Sequence, residues 1–180
     1  MRWISSTTFV TLFLAASACS SPPAAPAPTS TTAAAQGRVF LTDLLPNGSL
    51  SFEPGDAQVG GVDYSHSLVW GCGDGCPKVG QPGQAGQPGI EFEVPDGFDR
   101  LEFTAALTDS STQTDGKAYV AVYEEPELTK LFDSDAVTTG TGLPVSVPVK
   151  PGTKIRIDAA KLNGNETVCL CDASVVRSEG

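Results

Sequence analysis

Ile90-Glu-Phe-Glu-Val-Pro-Asp-Gly-Phe-Asp-Arg-Leu-Glu-Phe-Thr-Ala-Ala-Leu107 is the stretch that decides the fold class. Its first five residues alternate apolar and acidic side chains, the period-2 pattern of a strand with one face on a core and one in water. Pro95-Asp-Gly97 then presets a turn, and alternation resumes from Arg100 to Phe103 before running into the apolar Ala105-Ala-Leu107. Two strands joined by a turn in so short a span leave no room for a helix.

The same punctuation continues on both sides. Residues 108–116 are polar and unpatterned, which reads as a loop, and residues 117–123 are rich in β-formers. Downstream, residues 128–132, 143–149, 154–158 and 167–176 each fit a strand; upstream, residues 39–41, 49–52 and 67–70 do so. Pro144 and Pro148 cannot donate to a ladder, so their strand belongs at a sheet edge. Many short strands with regular turns predict an all-β jelly-roll β-sandwich of two antiparallel sheets, a single domain over residues 37–180.

The chain ahead of that domain reads as address and tether. Met1-Arg2 and the apolar run ending in Ala16-Ser-Ala18 have the form of a signal peptide over residues 1–18, too short to span a membrane. Ala16-Ser-Ala-Cys19 resembles the lipobox of bacterial lipoproteins, which makes Cys19 the expected lipidation site; an ordinary signal peptide is the alternative. Residues 20–36 are Pro-, Ala- and Thr-rich without a charge or an aromatic ring, a composition that cannot bury a core. Extended at ~3.1 Å per residue, such a spacer reaches roughly 50 Å from a membrane. The expected location is therefore the cell membrane, lipid-anchored and facing the extracytoplasmic side.

Charge and composition bound the function. The 180 residues carry 11 basic and 21 acidic side chains, a formal charge of −10, which argues against nucleic acid as a partner. One histidine, His66, excludes a His-Glu-x-x-His zinc site, and no Gly-x-Ser-x-Gly elbow exists for a serine nucleophile. A glycosidase needs two carboxylates across a sugar bond, but the acids are spread along the whole chain. The expectation is a protein without catalytic residues. Acidic loops such as the one holding Asp109 and Asp115 could still ligate a structural calcium, although no EF-hand-type loop is present.

Five cysteines leave one over in an oxidising compartment, and Cys19 accounts for it. Cys72, Cys76, Cys169 and Cys171 remain for disulfides; a tetrahedral zinc is the rival reading, disfavoured by that location. Cys169 and Cys171 lie two apart on an expected strand, near the upper limit of Cα separation for a bridge. The preferred pairing therefore joins Cys72 and Cys76 to Cys169 and Cys171. Such a bridge closes a loop of about 100 residues and is worth ~2–4 kcal/mol.

The order of segments carries a family resemblance. Val59-Gly-Gly-Val-Asp-Tyr-Ser-His-Ser-Leu68 resembles the glycine-turn-tyrosine entry of the NPCBM family, carbohydrate-binding modules related to those attached to family 98 glycoside hydrolases. The likeness continues through Ile90–Val94, Phe98-Asp-Arg-Leu-Glu-Phe-Thr-Ala106, Tyr119-Val-Ala-Val-Tyr123, Leu131-Phe-Asp-Ser134 and Asp172-Ala-Ser-Val175. It implies a jelly-roll sandwich and a glycan partner. Two departures stand out: Val69-Trp-Gly-Cys72 lies where many members have a histidine, and Leu170 where many carry a tryptophan. The family's sugar-binding residues are therefore not carried over.

Sugar binding needs an aromatic face for C–H stacking beside groups that hydrogen-bond hydroxyls. By that chemistry the candidate ligand-binding residues are Tyr64, His66, Trp70 and Asp109. The expected function is a non-catalytic, lipid-anchored module that holds envelope or environmental glycan. The alternative is an adaptor of the same fold that binds an envelope protein.

Overall fold

The computed structural model describes residues 37–45, 47–49, 51–71, 89–111, 115–161 and 166–178. The expected signal peptide, Cys19, the tether, Cys72 and Cys76 lie outside the described residues.

Eleven strands and one helical turn follow in order: β1 (Arg38–Phe40), α1 (Leu41–Leu44), β2 (Glu53–Val59), β3 (Val62–Gly71), β4 (Gly89–Glu93), β5 (Arg100–Leu107), β6 (Lys117–Glu124), β7 (Thr129–Asp133), β8 (Val137–Thr138), β9 (Leu143–Pro148), β10 (Lys154–Lys161) and β11 (Thr167–Val176). One sheet runs β2-β3-β11-β5-β9 with β1 added beside β11; the other runs β4-β10-β6-β7 with β8 beside β6. Every strand pairing is antiparallel. The two-sheet, all-β fold is the one that alternation in the sequence predicts.

Local chemistry explains the turns and edges. β2 and β3 meet through Gly60-Gly61, both at positive φ (57° and 78°), the pair of left-handed residues that a two-residue type I′ hairpin requires. β9 is an edge strand, as Pro144 and Pro148 demand. Alternating residues of both sheets make one shared core: Leu68, Leu101, Phe103, Val168 and Leu170 from the first, Ile90, Phe92, Val120, Val122, Ile155 and Ile157 from the second. Leu41 from α1 and Phe52 join them, both fully buried.

The strand expected at 49–52 gives way to a turn back: the Ser49 hydroxyl accepts the Ser51 and Phe52 N–H groups at 3.3 and 3.0 Å, so Ser49, Ser51 and Phe52 do not extend. The strand starts at Glu53 and runs through Pro54 and Gly55, which is tolerated because β2 also lies at a sheet edge.

β11 is the hub of its sheet. On one side it pairs with β5 along both halves; on the other it pairs with β3 through Thr167–Leu170 and with β1 through residues 174–176. The register shifts between Cys171 and Ser174, and Asp172 at that break has φ 48°. The change of neighbour from β3 to β1 falls there.

The same strand corrects the expected disulfides. Cys169 is bonded to Cys171, with Cα atoms 5.2 Å apart, so these two do not cross to Cys72 and Cys76. Their Cα atoms are closer than a regular strand holds such residues, within bridging range. Val168 and Leu170 face the intersheet core, so the two cysteines face the opposite side. There they pack with Ala57, Val59 and Ala106 under Tyr64 and Val69. Closing a loop of three residues stabilises far less than closing a long one. The double substitution Cys169→Ala/Cys171→Ala is expected to cost roughly 1.5 kcal/mol by chain closure, read as the shift in urea midpoint.

Candidate functional site

The outer face of the β2-β3-β11-β5-β9 sheet carries a concavity with a mixed lining. A cleft of about 320 Å3 is walled by Arg38, Tyr64, Glu102, Thr104, Ser146 and Asp172. A second hollow of about 550 Å3 is lined by Asp56, Gln58, Asp63 and Ser65, with Tyr64 common to both linings. Volumes of this order suit a mono- or disaccharide. Strand parity builds the wall: Glu102 and Thr104 alternate with the core residues Leu101, Phe103 and Ala105, so both point outward.

Polar groups around the cleft are held in place by neighbours. The Arg38 guanidinium donates to Ser174 Oγ at 3.0 Å and to Glu102 Oε2 at 2.8 Å. Gln58 Nε2 donates to Asp63 Oδ1 at 2.9 Å. Asp172, aimed back by its left-handed backbone, accepts the His66 N–H at 3.2 Å. The arrangement offers an aromatic ring flanked by carboxylates, an amide and hydroxyls. It can stack on a sugar face and hydrogen-bond its rim.

The four residues singled out from the sequence separate into three places. Tyr64 is half-buried and occurs in the linings of both hollows. His66 is exposed on the same strand, its ring stacked on Phe40 with centroids 4.0 Å apart and planes 10° apart. Trp70 is in the core, tilted against Phe52 at 6.1 Å, with the Lys161 ammonium 4.3 Å above its ring. Asp109 clamps the β2–β3 hairpin: its carboxylate accepts the Gly60 and Gly61 N–H groups at 2.8 and 2.9 Å.

The Asp109 clamp makes a separable prediction. Asp109→Ala should destabilise the domain by about 1–2 kcal/mol through loss of two hydrogen bonds to a carboxylate. Its glycan affinity should stay within twofold of the parent, roughly 0.4 kcal/mol. A thermal melt and a titration on the same sample check both.

Arg38, Asp56, Asp63, Glu102, Ser146 and Asp172 were not singled out from the sequence. They come from six strands, and for Glu102 and Ser146 outward parity is the signal that marks them.

Two other polar clusters are occupied by their own partners. On the outer face of the second sheet, Arg156 donates to the fully buried Asp158 at 2.7 Å, and Lys154 bonds Glu91. The Lys154 bond holds the Glu91 carboxyl below the usual carboxylate range. At the sandwich end, the buried Lys161 ammonium donates to the Glu166 carbonyl oxygen at 2.6 Å, and burial pushes its pKa down. No three His, Cys, Asp or Glu side chains gather as a cation site among the described residues, so the acidic loops supply no calcium cage there.

No family model matches this chain, and no curated protein does. Solved structures do. A CBM51 module from Clostridium perfringens GH95, in complex with methyl-galactose, superposes with a TM-score of 0.51 at 15% identity, covering 78% of this chain and 88% of that one. The CBM51-2 and INT domains of C. perfringens ZmpB, in complex with GlcNAc, give a TM-score of 0.54 at 10% identity and 78% coverage of this chain. A second structure of those two domains gives 0.51 at 10% identity and 69% coverage. This chain spans 31% and 26% of the two ZmpB chains. The fold is similar to that of carbohydrate-binding modules.

Proposed function

We propose that this protein is a non-catalytic glycan-binding module, held outside the cytoplasmic membrane by a lipid on Cys19. The observation that carries the reading is the Tyr64 cleft, an aromatic and polar concavity on a sandwich whose fold is similar to CBM51 modules. The serial likeness of residues 59–175 to the NPCBM family supports the same class. Binding needs no bond-making: the Tyr64 ring covers the apolar face of a pyranose, and Asp172, Thr104 and Ser146 meet its hydroxyls.

Titration against a panel of monosaccharide glycosides and cell-wall polysaccharides tests the reading, with Tyr64→Ala and Tyr64→Phe alongside. Removing the ring should cost roughly 1.5 kcal/mol, about a tenfold loss of affinity, while Tyr64→Phe keeps most of it. Absence of saturable binding by folded protein, or a Tyr64→Ala variant that binds like the parent, overturns it. The anchor is tested separately: Cys19→Ser should release the protein from the membrane fraction, and mass spectrometry of the parent should show acyl chains on Cys19.

A further inference from the structure

We infer that the Cys169–Cys171 disulfide is a positioning element of the Tyr64 cleft, so that its loss weakens glycan binding by a route separate from its small contribution to stability. This rests on the reading of the cleft as the glycan site and goes further by naming what holds that site in shape.

The bridge belongs to the cleft by place. Cys171 lines it together with Tyr64 and Asp172. Both cysteines are fully buried in the apolar cluster against which Tyr64 packs, so the bridge is part of the floor under that side chain. The backbone ladder does not extend that far. Registered pairs between β3 and β11 end at Leu68 and Leu170, and Tyr64, Cys171 and Asp172 all lie past that point. There the two strands are joined through side chains: the Asp172 carboxylate accepts the His66 N–H at 3.2 Å, and Tyr64 rests on the cysteine cluster.

A bridge this short suits local positioning. Closing so small a loop takes little entropy from the unfolded chain. Yet a bond from residue 169 to residue 171 fixes the backbone that leads directly into Asp172, whose φ is 48°. The register with β5 also breaks between Cys171 and Ser174, so the ladder on that side does not hold Asp172 either. The bridge therefore sets both the seat of Tyr64 and the approach to Asp172 before a ligand arrives. Without it, ordering such a side chain falls to the binding event, which costs roughly threefold to tenfold in affinity.

The test uses the full chain, titrated with methyl galactoside, N-acetylglucosamine and cell-wall polysaccharide. Two bridge-free variants are compared with the parent, Cys169→Ala/Cys171→Ala and Cys169→Val/Cys171→Val. The valine pair refills the volume under Tyr64 without the bond and suits a strand, so it serves where the alanine pair folds poorly. Each variant, shown folded by circular dichroism, should bind roughly threefold to tenfold more weakly than the parent. Asp109→Ala, destabilised to a similar extent, should stay within roughly twofold of the parent, which separates positioning from general loosening. In a Tyr64→Ala background, losing the bridge should cost less than it does in the parent, because one of the groups it positions is gone. Bridge-free protein that binds as the parent does overturns the inference. So does an equal loss in Asp109→Ala, or an undiminished loss in the Tyr64→Ala background. If Tyr64→Ala alone still weakens binding in those cases, the glycan reading stands without its disulfide. If the folded parent binds none of the three probes, both fall together.

Discussion

Lys161→Met alone is expected to destabilise the domain by about 1.5–3 kcal/mol, the usual worth of a hydrogen bond made by a charged group. β10 alternates inward and outward, so the parity that sends Ile155, Ile157 and Ala159 into the core sends Lys161 there too. Its ammonium is accommodated at the strand's end by the Glu166 carbonyl and by the face of Trp70. The Glu166 side chain is fully buried, and neither of its carboxylate oxygens has a hydrogen-bond partner among the described residues. The Lys161 charge acts on that carboxylate through space, and methionine would remove it. Lys161→Met/Glu166→Leu should recover most of the loss, because two apolar side chains need no charge compensation. Urea unfolding followed by Trp70 fluorescence measures all three proteins. A single variant within 1 kcal/mol of the parent, roughly the scatter of a surface substitution, would show that the pair is not coupled.

Trp70→Ala is expected to cost about 3–5 kcal/mol through the cavity left in the core. Two contacts go with the ring: the tilted packing on Phe52 and the cation–π contact that helps hold Lys161. The effects of Trp70→Ala and Lys161→Met should therefore be less than additive, and a double-mutant cycle reads the coupling. Where enough Trp70→Ala protein remains folded, its glycan affinity should equal the parent's, because Trp70 faces the intersheet core and Tyr64 the opposite side. Loss of affinity with retained stability would move the ligand to the Trp70 end of the sandwich. Circular dichroism against urea, paired with a titration, separates the two outcomes.

Much of the fold was legible because strand alternation is a local property. The 90–107 stretch shows two strands and their turn on its face, and β6, β7, β9, β10 and β11 lie close to where the pattern puts them. Residues 49–52 misled for a local reason as well: a serine hydroxyl competes for backbone N–H groups, and periodicity does not register that. β2 escaped notice because Pro54, Gly55 and Asp56 read as loop, and only its place at a sheet edge makes them admissible. The site was less legible. Tyr64 and Asp109 are both chemically fit to meet a sugar, and nothing in their neighbours along the chain tells a cleft wall from a hairpin clamp.

The sequence by itself determined the class of structure: alternating apolar residues and prolines at an edge dictate a two-sheet sandwich whatever its ligand. Those signals act within a few residues of each other, so they survive without coordinates. The tertiary structure alone decided which thiols meet and which aromatic ring is buried. Cys169 bonds Cys171 on one strand, and Tyr64 and Asp172 share a cleft because β3 and β11 are neighbours. Strand order is set by the burial of the whole core rather than by any one segment, and chemistry assembled across strands follows from that order.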